Sequence, residues 1–278
     1  MSKFEQAYMN LVSEVITRGE HRPSRAGFTV GVFGATFQTD CLERGYFPIL
    51  TQRKIFPAGI LGELEAFLKG AEDLQTFKDA GCNYWDANAA AWAPNKHTPV
   101  ALQKVGRIYG AQWRNWTGAQ GTVDQLTNLV TSLRTDPYSR RHLLATYNPA
   151  ELAEGCLPPC HVLAQFNVRA TKQLDCVVTM RSVDLCLGLP SDVILYAALM
   201  LVLCNETGYT PGKLTFMLGD THVYRNHIDQ FQEHANRPMH PLPQFKLAKS
   251  AGINTFVAAD LQLYNYQHSG VLPYAFNK

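Results

Sequence analysis

The chain has 278 residues, 46% of them hydrophobic and 17% charged, with a formal net charge of +2. That length and apolar share suit one large core, and a charge so close to neutral gives no sign of a basic stripe for nucleic acid or an anionic membrane surface. Seven cysteines (41, 82, 156, 160, 176, 186, 204) form neither a secreted framework nor a paired C-x-x-C, which points to a reducing cytoplasm.

From the N-terminus, Ser2 and Glu5 have capping-box spacing, and Phe4, Tyr8, Leu11 and Val15 predict an amphipathic helix to about Thr17. The polar start, Met1 to Asn10, does not read as a signal peptide. His21 to Gly27 reads as a loop carrying Arg22 and Arg25, and Thr29 to Phe37 as a strand bent at Gly31 or Gly34. Pro57 to Leu68 predicts a helix with Glu63 close to its apolar face. Gly81 to Trp92 is aromatic and irregular, Pro94 to Pro99 an exposed loop, and Tyr109 to Arg114 has turn and strand character. Thr122 and Gln125 start a helix with Val123, Leu126, Val130 and Leu133 on its apolar face. The turn Asp136 to Arg141 ends in two adjacent arginines, and Leu143 to Tyr147 is a short strand.

The stretch Leu157 to Pro190 organises the rest. Pro158 and Pro159 give a rigid lead-in to Cys160, two apolar strands follow around the polar turn Arg169 to Gln173, and Arg181, Ser182 and Asp184 precede a Gly188-Leu189-Pro190 corner. Such a lead-in suits a thiol that is presented rather than packed, with Arg181 as a source of positive potential if the strands pair; the alternative is one more buried small residue. Cys156, Cys160 and His161 lack the second ligand pair of a zinc site, so no metal is expected. Val193 to Cys204 is apolar all round and reads as a buried helix, too short as it stands to cross a bilayer. Leu214 to Leu218 is a strand leading to His222 and Tyr224, whose i, i+2 spacing puts both on one face. Pro238 to Pro243 is a connection, and Leu261 to Lys278 an extended aromatic tail. No linker or repeat divides residues 1–278, which gives a single α+β domain, a mixed sheet with packed helices. Arg25, Arg140, Arg141 and Arg181 can fork onto a phosphate with Ser182 as a hydroxyl donor, or stand as solvated charges.

The motifs L-P-P-C-H, R-S-x-D-x-x-L-G-L-P and G-D-T-H-V-Y-x-N-H strongly resemble thymidylate synthase. So do R-x-G near Arg25, F-P-I-L-T at Phe47, W-D at Trp85, Y-G-x-Q-W-R at Tyr109 and S-R-R at Ser139, in order along nearly the whole chain. The resemblance implies a homodimer that transfers one carbon from 5,10-methylenetetrahydrofolate to C5 of a pyrimidine nucleotide. It implies that Cys160 adds to C6 of the base, that Glu63 organises water and proton transfers, and that Tyr109 lies near the nucleophile. Arg25, Arg181 and Ser182 would bind the phosphate, with Arg140 and Arg141 from the partner subunit, and His222 and Tyr224 would hold the ribose. Tyr84, Trp85, Asp184, Leu187 and Gly188 would line the folate site.

The departures are informative. Where the family's corner reads G-L-P-F-N, this chain has Gly188-Leu189-Pro190-Ser191-Asp192. An asparagine amide matches the donor and acceptor of uracil, whereas a carboxyl accepts from the amino group of cytosine and shares a proton with N3. Asp192 therefore points to a cytosine nucleotide, dCMP first, as the same change does in phage deoxycytidylate hydroxymethylase, a member of that family. Met180 before Arg181, Asn88 three residues after Trp85 and the ending Ala275-Phe276-Asn277-Lys278 suggest a more polar folate side, hence water rather than hydride as the last reactant. Methylation of dCMP, or ordinary methylation of dUMP, are the alternatives. A DNA cytosine methyltransferase would need a glycine-rich adenosylmethionine loop, for which Gly31-Val32-Phe33-Gly34 is a poor match.

Overall fold

The computed structural model of the chain describes residues 2–95 and 97–277, without the side chain of Val100; Met1, Lys96 and Lys278 lie outside the described residues. Helix α1 (Lys3–Arg18) starts as its sequence requires, Ser2 Oγ accepting from the Glu5 amide. The capping box closes on one side only. Glu5 is buried and turns away from the helix end to accept from Thr51 N (2.5 Å), Thr51 Oγ1 (2.5 Å) and Gln52 N (2.9 Å). A buried carboxylate with three donors ties α1 to the segment that enters α2 (Pro57–Leu68).

A six-stranded mixed sheet carries the fold. Its strands are β1 (Glu20–Ser24), β2 (Gly27–Thr39), β5 (Leu143–Ala145), β6 (His161–Val168), β7 (Gln173–Asp184) and β8 (Thr210–Tyr224). The spatial order is β1-β2-β8-β7-β6-β5, antiparallel except for the parallel pair β7 and β8. Arg22 and Arg25 thus flank a tight β1–β2 hairpin rather than a loose loop. In β2 the bend falls at Gly34, whose φ of +84° a side chain would strain. The register of β6 on β7 shifts between His161 and Leu163, a bulge at the strand end next to Cys160.

Parallel strands need a crossover, and α7 (Gly188–Thr207) supplies it, packed on β7 and β8 and against α2. Pro190 sits in its first turn, where a missing N–H costs nothing, and Gly208 ends it in the left-handed conformation. At twenty residues α7 is long and apolar enough to cross a membrane, longer than the run Val193 to Cys204 by itself, but most of it is buried inside the protein as the core helix.

The other elements are α3 (Leu74–Asp79), α4 (Asp86–Trp92), α5 (Tyr109–Arg114), the hairpin β3 (Trp116–Gly118) and β4 (Gly121–Val123), α6 (Gln125–Thr135), α8 (Ile228–Ala235) and the pair β9 (Gln244–Leu247) and β10 (Leu261–Tyr264). Three expectations are corrected. Tyr109 to Arg114 is a short buried helix, because its close approach to α2 (a Cβ on Gly110 would meet the Phe67 backbone) overrides aromatic strand propensity. Residues 86–92, expected to be irregular, form α4. Helix α6 is capped by Asp124, which accepts from Thr127 N, so Thr122 and Val123 belong to β4 and Val123 is exposed.

Candidate active site

Cys160 ends the rigid lead-in and is fixed from three sides. Its amide donates to Tyr109 Oη (2.8 Å), its carbonyl accepts from Arg181 N (2.8 Å), and the Arg181 guanidinium lies 3.8 Å from Sγ. The same guanidinium donates to the carbonyls of Pro159 (2.7 Å) and Pro158 (2.8 Å), so the paired strands deliver the positive charge to the thiol. Burial pushes the thiol up from its ordinary value and Arg181 opposes that shift; Asp192 adds to it.

Beneath the thiol, Tyr109 stacks on His161 at 4.0 Å and on Phe67 at 5.0 Å. Burial holds His161 neutral, its imidazole down at about 3. His161 Nδ1 bonds Tyr196 Oη at 2.7 Å, and Nε2 lies 3.9 Å from Asp192 Oδ1. In the sequence His161 stands out only as the neighbour of Cys160, and Tyr196 not at all. The signal available was its position one helical turn beyond Asp192, on the same face of α7.

Three acidic side chains share this interior. Asp192, one turn into α7, is pushed well above the usual carboxylate range by burial first, then by Glu63 and Asp184. Glu63, walled in on α2, is pushed up to about 7 by burial, against the pull of the Trp85 indole N–H, which donates to Oε1 at 2.7 Å. That bond favours the charged form, so Trp85→Phe should raise the Glu63 pKa further. The Glu63 carboxyl ¹³C shift, followed against pH, should then titrate above its position in the unaltered protein.

The phosphate-type residues gather at one end. A cavity of about 250 Å³ is lined by Arg22, Arg25, Ser182, Asp220, His222 and Tyr224, among others. His222 and Tyr224 share a face of β8 as expected, their rings 5.2 Å apart. Asp220 Oδ1 holds His222 Nδ1 at 2.8 Å, and Arg22 reaches Asp220 at 3.5 Å; neither Arg22 nor Asp220 was assigned a role from sequence. Arg140 and Arg141 are exposed just before β5 and do not line this cavity, so the protomer alone does not bring them to the site.

On the other side of Glu63, Trp85 is buried and Tyr84 is 46% exposed. Leu187 and Gly188 start α7, next to Asp184. The Asp184 carboxyl accepts from Cys186 N at 2.8 Å and lies 3.9 Å from His227 Nδ1; burial raises its pKa, with His227 opposing. Donor atoms of Asp184, Cys186 and His227 lie within 4.8 Å of one another. Burial pushes the Cys186 thiol up, and His227 Nε2 donates to the Ala275 carbonyl at 2.7 Å, which pins the tail against this knot.

The chain matches the family model for thymidylate synthase over residues 6–276. It is 35% identical over 285 residues to a protein named thymidylate synthase from Equine herpesvirus 2 (strain 86/87), an alignment covering 97% of this chain and 96% of that relative. The family's one-carbon donor is 5,10-methylenetetrahydrofolate. The match runs through the segments that carry the cysteine, the carboxyls and the cation-lined cavity, and the chain belongs to the thymidylate synthase family, enzymes that carry out folate-dependent one-carbon transfer to C5 of a pyrimidine nucleotide.

Proposed function

We propose that this protein transfers a hydroxymethyl group to C5 of a cytosine nucleotide, dCMP foremost. The observation that carries the proposal is the carboxyl of Asp192, partly buried 3.9 Å from His161 and near enough to Cys160 to push its thiol up, where the family's corner has an amide. A carboxylic acid there meets cytosine with its carbonyl oxygen accepting from the 4-amino group and one proton shared with N3.

In this reading Arg25 and Ser182, which line the cavity, take the phosphate together with Arg181, whose guanidinium lies by the thiol, and His222 and Tyr224 take the sugar. The Cys160 thiolate adds to C6, and the electron pair displaced onto C5 attacks the donated carbon. Loss of the C5 proton and release of tetrahydrofolate leave an exocyclic methylene on the base. Water, held by Glu63, adds there, and expulsion of the sulfur from C6 restores the ring. The balance is dCMP, methylenetetrahydrofolate and water giving 5-hydroxymethyl-dCMP and tetrahydrofolate. Glu63, titrating near neutrality, suits both the proton transfers and the water. Tyr84, Trp85, Asp184, Leu187 and Gly188 form the folate side.

A homodimer belongs to the same proposal. The outward sheet face carries Met217 and Val177, both more than a third exposed, a surface that a second copy would cover. Arg140 and Arg141, away from their own cavity, would then serve the partner's phosphate site.

Methylation of dCMP is the second reading, favoured by the dry aromatic wall of Phe67, Trp85 and Tyr109. Mass analysis of the products formed from dCMP and from dUMP with methylenetetrahydrofolate separates the readings. Hydroxymethyl-dCMP without dihydrofolate is the expected result. Methyl-dCMP with dihydrofolate absorbance would establish the second reading, and turnover of dUMP alone would overturn both.

A further inference from the structure

The first turn of α2 has a notch in it. A Cβ on Gly59 would stand 2.8 Å from Tyr84 Oη and 3.0 Å from Cζ, so the phenol end of Tyr84 occupies the space a side chain would take. Three residues on, a Cβ on Gly62 would stand 2.0 Å from the Ala80 carbonyl oxygen. Gly59, Gly62 and Glu63 are spaced i, i+3, i+4 and therefore lie along one face of α2. The two glycines flatten that face, and the segment 80–85 lies directly on it. As a result the adjacent pair Tyr84 and Trp85 meets α2 at two points, Tyr84 at Gly59 and Trp85 at the Glu63 carboxyl.

Gly59 does not need its glycine backbone. Its φ is not positive, and alanine is the better helix former, so nothing in the helix itself calls for glycine here. What the missing Cβ provides is room for the Tyr84 ring. Tyr84 is half-exposed, and Glu63 is near enough to help raise its phenol, which burial chiefly pushes up to about 12.

We propose that Gly59 is a positioning residue for the folate: by seating Tyr84 in the notch it sets the wall that the co-substrate meets beside Glu63. The proposal rests on the folate reading of Tyr84 given above. A methyl at position 59 lifts the phenol out of its seat and swings the ring into the space the folate would use.

The test is a double-mutant cycle of Gly59→Ala and Tyr84→Leu, read as KM for methylenetetrahydrofolate, Kd for the nucleotide, and Tm. Gly59→Ala alone should raise the folate KM by about tenfold, leave nucleotide Kd within about twofold and hold or raise Tm. In the Tyr84→Leu background, which lacks the phenol end, the same change should raise folate KM by less than about twofold. An equal penalty in both backgrounds, or an unchanged folate KM in Gly59→Ala, overturns the inference while leaving the folate reading intact. Absence of folate-dependent turnover in the unaltered enzyme, with any pyrimidine nucleotide, would overturn both.

Discussion

Cys160→Ala is expected to lower turnover by on the order of 10⁴-fold or more while nucleotide affinity stays within a few-fold. In the proposed reaction the thiol beside Arg181 is the nucleophile, and its two nearest polar neighbours are poor replacements. Tyr109 is held well above its ordinary value by burial, and His161 is committed to Tyr196. The fold should tolerate the change, because Cys160 is fixed through its backbone: its amide binds Tyr109 and its carbonyl binds Arg181. Nucleotide binding by calorimetry separates this result from simple unfolding. Turnover within tenfold of the unaltered enzyme would exclude Cys160 as the nucleophile. A companion measurement needs no substrate. Arg181→Gln removes the charge that opposes the burial shift, so the thiol should be alkylated more slowly at a given pH, its rate profile displaced to higher pH.

Asp192→Asn should shift the ratio of kcat/KM for dCMP over dUMP by on the order of 10²–10⁴ toward dUMP. The asparagine amide donates to uracil O4 and accepts from N3–H at any pH. The native carboxyl behaves differently. While protonated it can meet either base, since its O–H can donate to O4 of uracil or to N3 of cytosine. Once ionised it sets two acceptors against uracil O4, whereas with cytosine the shared proton can remain on N3. Its pKa is raised, so the neutral acid persists above the usual carboxylate range and is lost as pH climbs through the folded-state value. Preference for dCMP should therefore widen with rising pH in the native enzyme and stay flat in Asp192→Asn. Steady-state rates on both nucleotides across the neutral and alkaline range check this; an unchanged ratio in the variant would remove Asp192 from base recognition.

Much of this site was legible in the residues because motif and element coincide. Pro158 and Pro159 mark the lead-in that ends at Cys160, and the β6–β7 pairing that carries Arg181 to it follows from two apolar runs around one polar turn. The alternation of β8 put His222 and Tyr224 together. What the sequence hid was tertiary. Tyr109 looked strand-like because its aromatic neighbours favour strands, yet the close contact between Gly110 and the Phe67 backbone made a helix of it. Glu5 matched a capping box, but its carboxylate is taken up by Thr51 and Gln52, residues no local spacing links to it. The Arg22–Asp220–His222 relay reaches from β1 to β8 across β2, and only the two registers of β2, on β1 and on β8, bring those residues together.

The His161–Tyr196 hydrogen bond has a consequence for what the cleft can hold. One partner directly follows Cys160 in the chain, and the other stands a single helical turn beyond Asp192. The bond clamps strand to helix, so the spacing of those two residues is fixed by the fold itself. In the proposed reaction that spacing would act as a gauge of ring width, bridged by a monocyclic base with C6 at the sulfur and its 4-substituent at the carboxyl. A fused bicyclic base would then lose one of the two contacts, and purines would be turned away by measurement rather than by charge.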